Sequence, residues 1–406
     1  MKVLIIGPYA PHGQVGAIRM ISLSRYLIEK GHTVTVLCLS EKVLKEMDPK
    51  GLSAAVPDGV KIIPYDVMHT CNSIMKKNMI NQKECCGALV SLLEKQEFDV
   101  ALISGGPFYQ FKASSLLKQK GIPFIVDYRD LHISSPEKRK RKGLLNKIKF
   151  GISYPVRFFQ EYNCIRRANV ITVVAPEMRE NISTYFHISK EKIQVAYNGF
   201  DDAVLRNIDI KKSDNQVLTI GYFGKLMYYN RDLTAMLFEA IDKINNDGLK
   251  VKLLHIGPAN DSVYEFFELH QIKGNQWYKC LGQKEYRKGI ELLSTCDAYA
   301  LEYAYPEGPG TKVFDYIFLN KPIIGVLKPG ISLEKLLAKF DNAFICHSVE
   351  EINTALQTLL AGDVKVLIDS QDSQSVIYDY SRSKQNKHFE ELMENISLRR
   401  KYYDDK

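Results

Sequence analysis

A chain of 406 residues is too long for one ordinary hydrophobic core and predicts two domains. Its 45% hydrophobic and 25% charged residues exclude a disordered or fibrous protein. A formal charge of +8 favours anionic partners without separating nucleic acid, membrane surface and phosphorylated substrate.

The eight cysteines form no CxxC pair and lie near no histidine at zinc spacing, so they read as reduced and structural, adjacent Cys85 and Cys86 included. The opening run Met1 to Gly7 is too short for the apolar core of a signal peptide and reads as a strand. No run approaches the roughly 20 apolar residues of a membrane-spanning helix. The expected location is therefore the cytoplasm.

In chain order, Val3 to Ile6 reads as a strand, Gly7 to Gly16 as a loop, Ala17 to Lys30 as a helix and Thr33 to Leu39 as a second strand. Similar short β-branched runs follow at 60–65, 100–104, 124–127 and 170–174, with helical stretches or basic loops between them. The pattern is that of a doubly wound α/β domain. A polar stretch from Asn207 to Gln216 marks a boundary, and the rhythm restarts with strands at 218–223, 251–256, 278–281, 298–301, 322–326 and 343–345. The expected divisions are 1–205, 206–380 and a C-terminal helix, 381–406. Its Phe389, Leu392, Met393 and Ile396 stand at helical spacing and suit packing back on the first domain.

The segment Glu302 to Tyr316 follows a strand, passes through Gly308 and Gly310 and opens a helix. Such a turn is an anion site: the glycines permit close backbone approach, and the first helical N–H groups and the dipole favour phosphate. Thr311 stands at the helix start and Lys312 adds a charge. Glu307 and Asp315 flank the turn and are candidates for sugar hydroxyls. Gly224-Lys225 and Arg231, after the strand ending at Phe223, place two cations beside the same strand ends. In the first half, Asp127-Tyr128-Arg129-Asp130 and Ser104-Gly105-Gly106-Pro107 end neighbouring strands, where ligands bind in such sheets.

Glu307, seven intervening residues and Asp315, with Gly308 and Gly310 between, resemble the E-x7-E donor motif of glycosyltransferase family 4, here ending in Asp. Pro11 to Arg19 resembles that family's N-terminal glycine loop, with Val15-Gly16 in place of the usual glycine pair. Asn198-Gly199-Phe200-Asp201 resembles the segment leading into its interdomain linker, and Asp127 to Asp130 a D-x-R-D variant of its catalytic segment.

The resemblance implies two Rossmann-like domains facing across a cleft, the GT-B type, and a retaining transfer of sugar from a nucleoside-diphosphate sugar. Its implied catalytic set is Glu307, Asp130 and Arg129. Its implied donor-binding set is Gly16, Gly224, Lys225, Arg231, Gly308, Gly310, Thr311, Lys312 and Asp315. Lys225 and Arg231 stand in exchanged order for the cation pair that neutralises the diphosphate, so no metal and no further cofactor is expected. The acceptor is expected to be a glycan or a lipid-linked glycan, as in surface polysaccharide synthesis. Two other readings share the architecture: a non-hydrolysing nucleotide-sugar epimerase, and a catalytically silent sugar-nucleotide-binding subunit.

The run Lys138 to Lys142 precedes an amphipathic aromatic stretch, which suggests an anionic membrane surface and a peripheral location. No nucleic-acid module surrounds it, so nucleic acid is not an expected partner.

Overall fold

The computed structural model describes residues 1–9, 12–13, 15–47, 52–53, 55–67, 74–136, 144–210, 216–228, 230–362 and 371–404. The chain divides into two units, Met1–Asn198 with Arg382–Lys406, and Gly199–Ser381.

The first unit carries β1 (Lys2–Ile6), β2 (His12–Gly13), β3 (Thr33–Leu39), β4 (Leu52–Ser53), β5 (Lys61–Tyr65), β6 (Val100–Ser104), β7 (Phe124–Tyr128), β8 (Val170–Val173) and β9 (Ile193–Val195). Seven of them form one parallel sheet in the order β5-β3-β1-β6-β7-β8-β9, while β2 and β4 pair as a short antiparallel ribbon. Strands such as Val100–Ser104 and Phe124–Tyr128 are buried at every position, because helices cover both faces of a parallel sheet. That is why they read as unbroken apolar runs rather than alternating ones.

The second unit carries β10 (Leu218–Phe223), β11 (Val251–Ile256), β12 (Tyr278–Cys280), β13 (Ala298–Tyr303), β14 (Ile323–Leu327) and β15 (Ala343–Cys346). They pair in parallel as β12-β11-β10-β13-β14-β15. In both sheets the chain winds outward from a first strand and then reverses, between β1 and β6 and between β10 and β13. The carboxyl ends flanking such a reversal are left uncovered by the crossovers and form a ligand crevice. At the first reversal Gly7 is obligatory in packing terms, since a Cβ there would lie 2.8 Å from that of Ser104.

The C-terminal helix Arg382–Asp404 returns to the first unit and packs on the helix Val15–Glu29. Phe389, Met393 and Ile396 share a core with Met20, Leu23 and Leu27, and Asn386 donates to Ser22 Oγ at 3.1 Å. Residues 199–205, expected in the first domain, sit with the second. The reason is local: the short helix Asp202–Leu205 is held by Arg287, whose guanidinium donates to the carbonyls of Val204 and Arg206 at 2.6 and 3.1 Å. The cysteines at 38, 85, 86, 164, 280, 296 and 346 are free. No described helix is long and apolar enough to cross a membrane.

Candidate functional site

The second unit's reversal is built around two glycines. Gly224 follows β10 with φ of 103°, a backbone conformation that side chains resist, and its N–H extends the β10–β11 ladder to Ile256 O at 2.9 Å. Gly257, the residue after β11, approaches so closely that a Cβ would lie 2.0 Å from Gly224 O. His255, fully buried, fixes this carbonyl: Nε2–H donates to Gly224 O at 2.7 Å, which leaves Nδ1 to accept from Tyr278 Oη at 2.8 Å. Gly257→Ala is therefore expected to displace the Gly224 turn and cost about 2–3 kcal/mol. Thermal unfolding measures the cost, and an unchanged melting temperature contradicts this packing.

Burial holds the His255 imidazolium pKa below its ordinary value of 6.5, with Lys312 adding to the effect and the Gly224 carbonyl and Glu302 opposing it. The sign follows from linkage. Below pH 6.5 the unfolded chain takes up a proton that the native imidazole refuses, so stability falls as pH drops toward the lower folded value. His388 on the C-terminal helix is shifted the same way by burial, so the parent alone does not isolate the effect. Denaturant unfolding between pH 7 and 5 is expected to give a shallower pH slope for His255→Gln than for the parent; equal slopes refute the assignment.

Beneath the turn lies a buried polar knot. Glu302, with 2% of its side chain exposed, accepts from Tyr222 Oη at 2.5 Å and pairs with Lys312 Nζ at 3.1 Å. Lys312 Nζ also donates to Tyr222 Oη at 2.6 Å and lies 3.9 Å from the centroid of that ring. Lys312, expected to add its charge to a phosphate, is held here by the buried Glu302 carboxylate, which requires a counter-charge. Burial draws its pKa below the usual lysine value, with Glu302 opposing.

Above the knot the chain turns from Glu307 to Thr311 before the helix Lys312–Leu319. Gly308 is buried with φ of 151°, and a Cβ on Gly310 would press the Tyr303 ring at 3.2 Å. Thr311 supplies no side-chain cap to the first turn of this helix, whose N–H groups are of the kind that binds anions. Asp315, in that first turn and 6% exposed, accepts from Tyr286 Oη at 2.5 Å, and Tyr286 packs near Phe223. Glu307 is half-buried on the turn.

The two upstream cations are exposed. Lys225 Nζ stands 4.9 Å from the centroid of the Tyr228 ring, and Arg231, the first residue of the helix Arg231–Ile244, donates to Ser262 Oγ at 2.7 Å.

In the first unit the reversal is braced by two arginines. Arg19, 5% exposed, donates to Asp127 Oδ1 at 3.1 Å and to the carbonyls of Ala196 and Tyr197 at 2.8 and 2.5 Å. It joins the helix Val15–Glu29, the end of β7 and the segment after β9. Asp127 is fully buried, accepts also from Thr172 Oγ1 at 2.8 Å, and its Oδ2 has no hydrogen-bond partner among the described residues.

Arg129 donates to the carbonyls of Gly105 and Gly106 at 2.9 and 2.7 Å. It thus braces the loop after β6. Burial lowers its pKa, opposed by Asp127 and Asp130. Asp130 is exposed. Beside these strand ends, Phe108 stacks on His132 at 4.1 Å over a cavity of about 150 Å³ also lined by Asn78, Arg157, Gln160 and Glu161. Glu161, fully buried, accepts from Tyr128 Oη at 3.0 Å and from the Ile133 N–H at 3.1 Å.

Within the second unit, the expected residues Gly224, Glu307, Gly308, Gly310, Thr311, Lys312 and Asp315 stand at the strand ends flanking one reversal and on the turn and helix that follow. Lys225 and Arg231 follow β10 on the same side but turn to Tyr228 and Ser262. Arg129 and Asp130 belong to the other unit. Gly16 is the second residue of the helix Val15–Glu29, while positions 10, 11 and 14 of its loop, and the whole run Lys138 to Lys142, lie outside the described residues. Glu302, Tyr222, His255 and Tyr286, which hold the turn from below, were not expected.

Residues 16–204 match the family model Glycosyltransferase Family 4. No curated protein matches the chain in sequence. Among solved structures, sucrose-phosphate synthase from Thermosynechococcus elongatus superposes with a TM-score of 0.71 at 10% identity, over 97% of this chain and 99% of that one. Anabaena HepE, in complex with UDP and glucose, gives 0.64 at 15% identity over 97% and 99%. The lipopolysaccharide outer core galactosyltransferase WaaB gives 0.61 at 15% identity over 96% and 98%. The structural likenesses carry the fold, and the family match carries the class. The resemblance to glycosyltransferase family 4 is borne out, and the chain is a glycosyltransferase of the GT-B kind.

Proposed function

We propose that the enzyme transfers a sugar, with retention of anomeric configuration, from a nucleoside-diphosphate sugar to a glycan or lipid-linked glycan in surface polysaccharide synthesis. The observation that carries this reading is the uncapped start of the helix Lys312–Leu319, at a sheet reversal and flanked by Glu307 and Asp315. In this reading the N–H groups of Gly308, Gly310 and Thr311 bind the diphosphate, Glu307 orients the sugar and Asp315 takes the ribose hydroxyls. Tyr286 fixes the Asp315 carboxylate for that purpose.

Lys225 and Arg231 neutralise the charge that grows on the leaving diphosphate, in place of a divalent metal. The bond from the anomeric carbon to the phosphate oxygen breaks, the acceptor oxygen bonds to the same face, and the acceptor proton passes to the departing phosphate. Asp130, exposed at the end of β7, positions the acceptor, and Arg129 keeps the neighbouring loop in place. HepE, solved with UDP and glucose, supports a nucleoside diphosphate as the ligand class, and the galactosyltransferase WaaB supports a glycan acceptor. The protein acts at the cytoplasmic face of a membrane.

Nuclear magnetic resonance of the product, with and without a chelator, tests the mechanism. The expected result is a product anomer matching the donor and a rate indifferent to chelation. An inverted anomer, or transfer abolished by chelation and restored by a divalent ion, overturns it.

A further inference from the structure

The loop after β10 holds an exposed lysine on a backbone that is otherwise fixed. Gly224 O accepts from His255 Nε2 at 2.7 Å and Leu226 O from Asn260 Nδ2 at 3.0 Å, so the carbonyls on either side of Lys225 are both tied down. Leu226 and Met227, 1% and 5% exposed, belong to the second unit's core. Lys225 and Tyr228 face solvent, the tyrosine 63% exposed.

Met227, between them, has φ of 58°, a left-handed conformation that a residue with a Cβ adopts only at a cost. Strain of that kind persists where the surroundings impose it, and it marks a place to look for function. The chain turns there, and beyond the turn the Tyr228 ring centroid stands 4.9 Å from Lys225 Nζ, within the reach of a cation–π attraction.

The kind of partner matters. Lys312 is paired with the Glu302 carboxylate, whereas Lys225 and Arg231 make no ion pair among the described residues and rest on neutral groups, the Tyr228 ring and Ser262 Oγ. A neutral partner leaves the cation its full charge for an anionic ligand. An exposed lysine stem otherwise samples many rotamers, and that freedom is lost when the ammonium pairs with an anion. A ring that already attracts the ammonium lowers this cost before the anion arrives.

We propose that Tyr228 is a positioning residue, whose ring holds the still-charged Lys225 ammonium ready for the diphosphate of the donor. The inference rests on the reading of Lys225 as a diphosphate cation and adds the residue that presets it.

Calorimetric titration of the full chain with UDP, GDP and ADP tests it, on whichever of the three binds the parent most tightly. Tyr228→Leu is expected to raise Kd about two- to fivefold, the worth of an exposed cation–π contact, and to keep the parent's melting temperature. Tyr228→Phe retains the ring and is expected to bind as the parent does. Lys225→Ala is expected to weaken binding by about tenfold or more, as for a lost bond to a charged group. In that background Tyr228→Leu is expected to change nothing further, because the two residues act as a unit.

A Tyr228→Leu variant that binds as tightly as the parent, or more tightly, overturns the proposal; the tighter case would mean that the ring draws Lys225 away from the anion. So does an undiminished loss from Tyr228→Leu when residue 225 is already alanine, or a loss in Tyr228→Phe as large as in Tyr228→Leu. Parent-like binding by Lys225→Ala refutes the reading of Lys225 itself. Weakened Lys225→Ala beside parent-like Tyr228→Leu refutes the positioning alone. A parent that binds none of the three refutes the donor reading on which both stand.

Discussion

Glu307→Ala is expected to lower sugar transfer by about 10²–10³-fold, the effect of removing a group that stabilises charge or position in a transition state, while leaving the melting temperature at the parent value. The two halves of that expectation come from the same placement. Glu307 is half-buried on a turn after β13, outside the hydrophobic core, so its truncation opens no cavity there. Its neighbours are the glycine backbone and the uncapped helix start, the place proposed for the donor's phosphates. Lys312→Ala is the contrasting case. It strips the counter-charge from a Glu302 side chain that is only 2% exposed, so its first effect is on stability. If Glu307→Ala transferred sugar at the parent rate, the role given to this turn would be wrong.

Arg19→Met is expected to destabilise the first unit by about 3–5 kcal/mol, the usual cost of leaving a buried charge without its partner. That corresponds to roughly 10 °C in melting temperature for a unit of this size. The side chains of Arg19 and Asp127 are 6% and 0% exposed, and once the guanidinium is gone Asp127 keeps the hydrogen bond from the Thr172 hydroxyl and the more distant charge of Arg129. Arg19 also ties the carbonyls of Ala196 and Tyr197 to the sheet edge and lies 5.0 Å from the centroid of the Phe389 ring, so the C-terminal helix loses a contact as well. The double variant Arg19→Met, Asp127→Asn is expected to recover part of the loss, because the orphaned charge is removed with its partner. A double variant no more stable than the single one would show that packing, not charge, holds this joint.

Most of the fold was legible because parallel strands buried on both faces announce themselves as β-branched runs. Val100 to Ser104 and Ile323 to Leu327 are examples, and each is followed by polar or glycine-containing chain. The C-terminal helix was legible from the spacing of Phe389, Met393 and Ile396. Two features escaped for lack of local signal. The edge strand Ile193–Val195 is three residues long, and the ribbon of His12–Gly13 with Leu52–Ser53 is two residues on each side. Pairing of that kind is decided by contacts distant in sequence.

The candidate turn was legible in the same way, since glycines and acids after a strand and before a helix carry their chemistry locally. What holds the turn was not. Glu302 reads in sequence as the first residue after a strand, and only the fold brings Tyr222 and Lys312 to it, from 80 and 10 residues away. The pairing of Lys312 with Glu302 was not legible, because a sequence shows a charge without showing its partner. Arg129 illustrates the converse: its position after β7 pointed to the strand ends, and the structure adds that its donors go to Gly105 and Gly106.

The proposed enzyme transfers sugar to an acceptor from a donor held at the turn from Glu307 to Asp315. Mass spectrometry of the products from a panel of nucleotide sugars, incubated with membrane lipid extract and the full-length protein, tests it most directly. A glycosylated acceptor and free nucleoside diphosphate are expected, formed together and only when acceptor is present. An isomerised nucleotide sugar formed without acceptor, or no product from any donor, would contradict it.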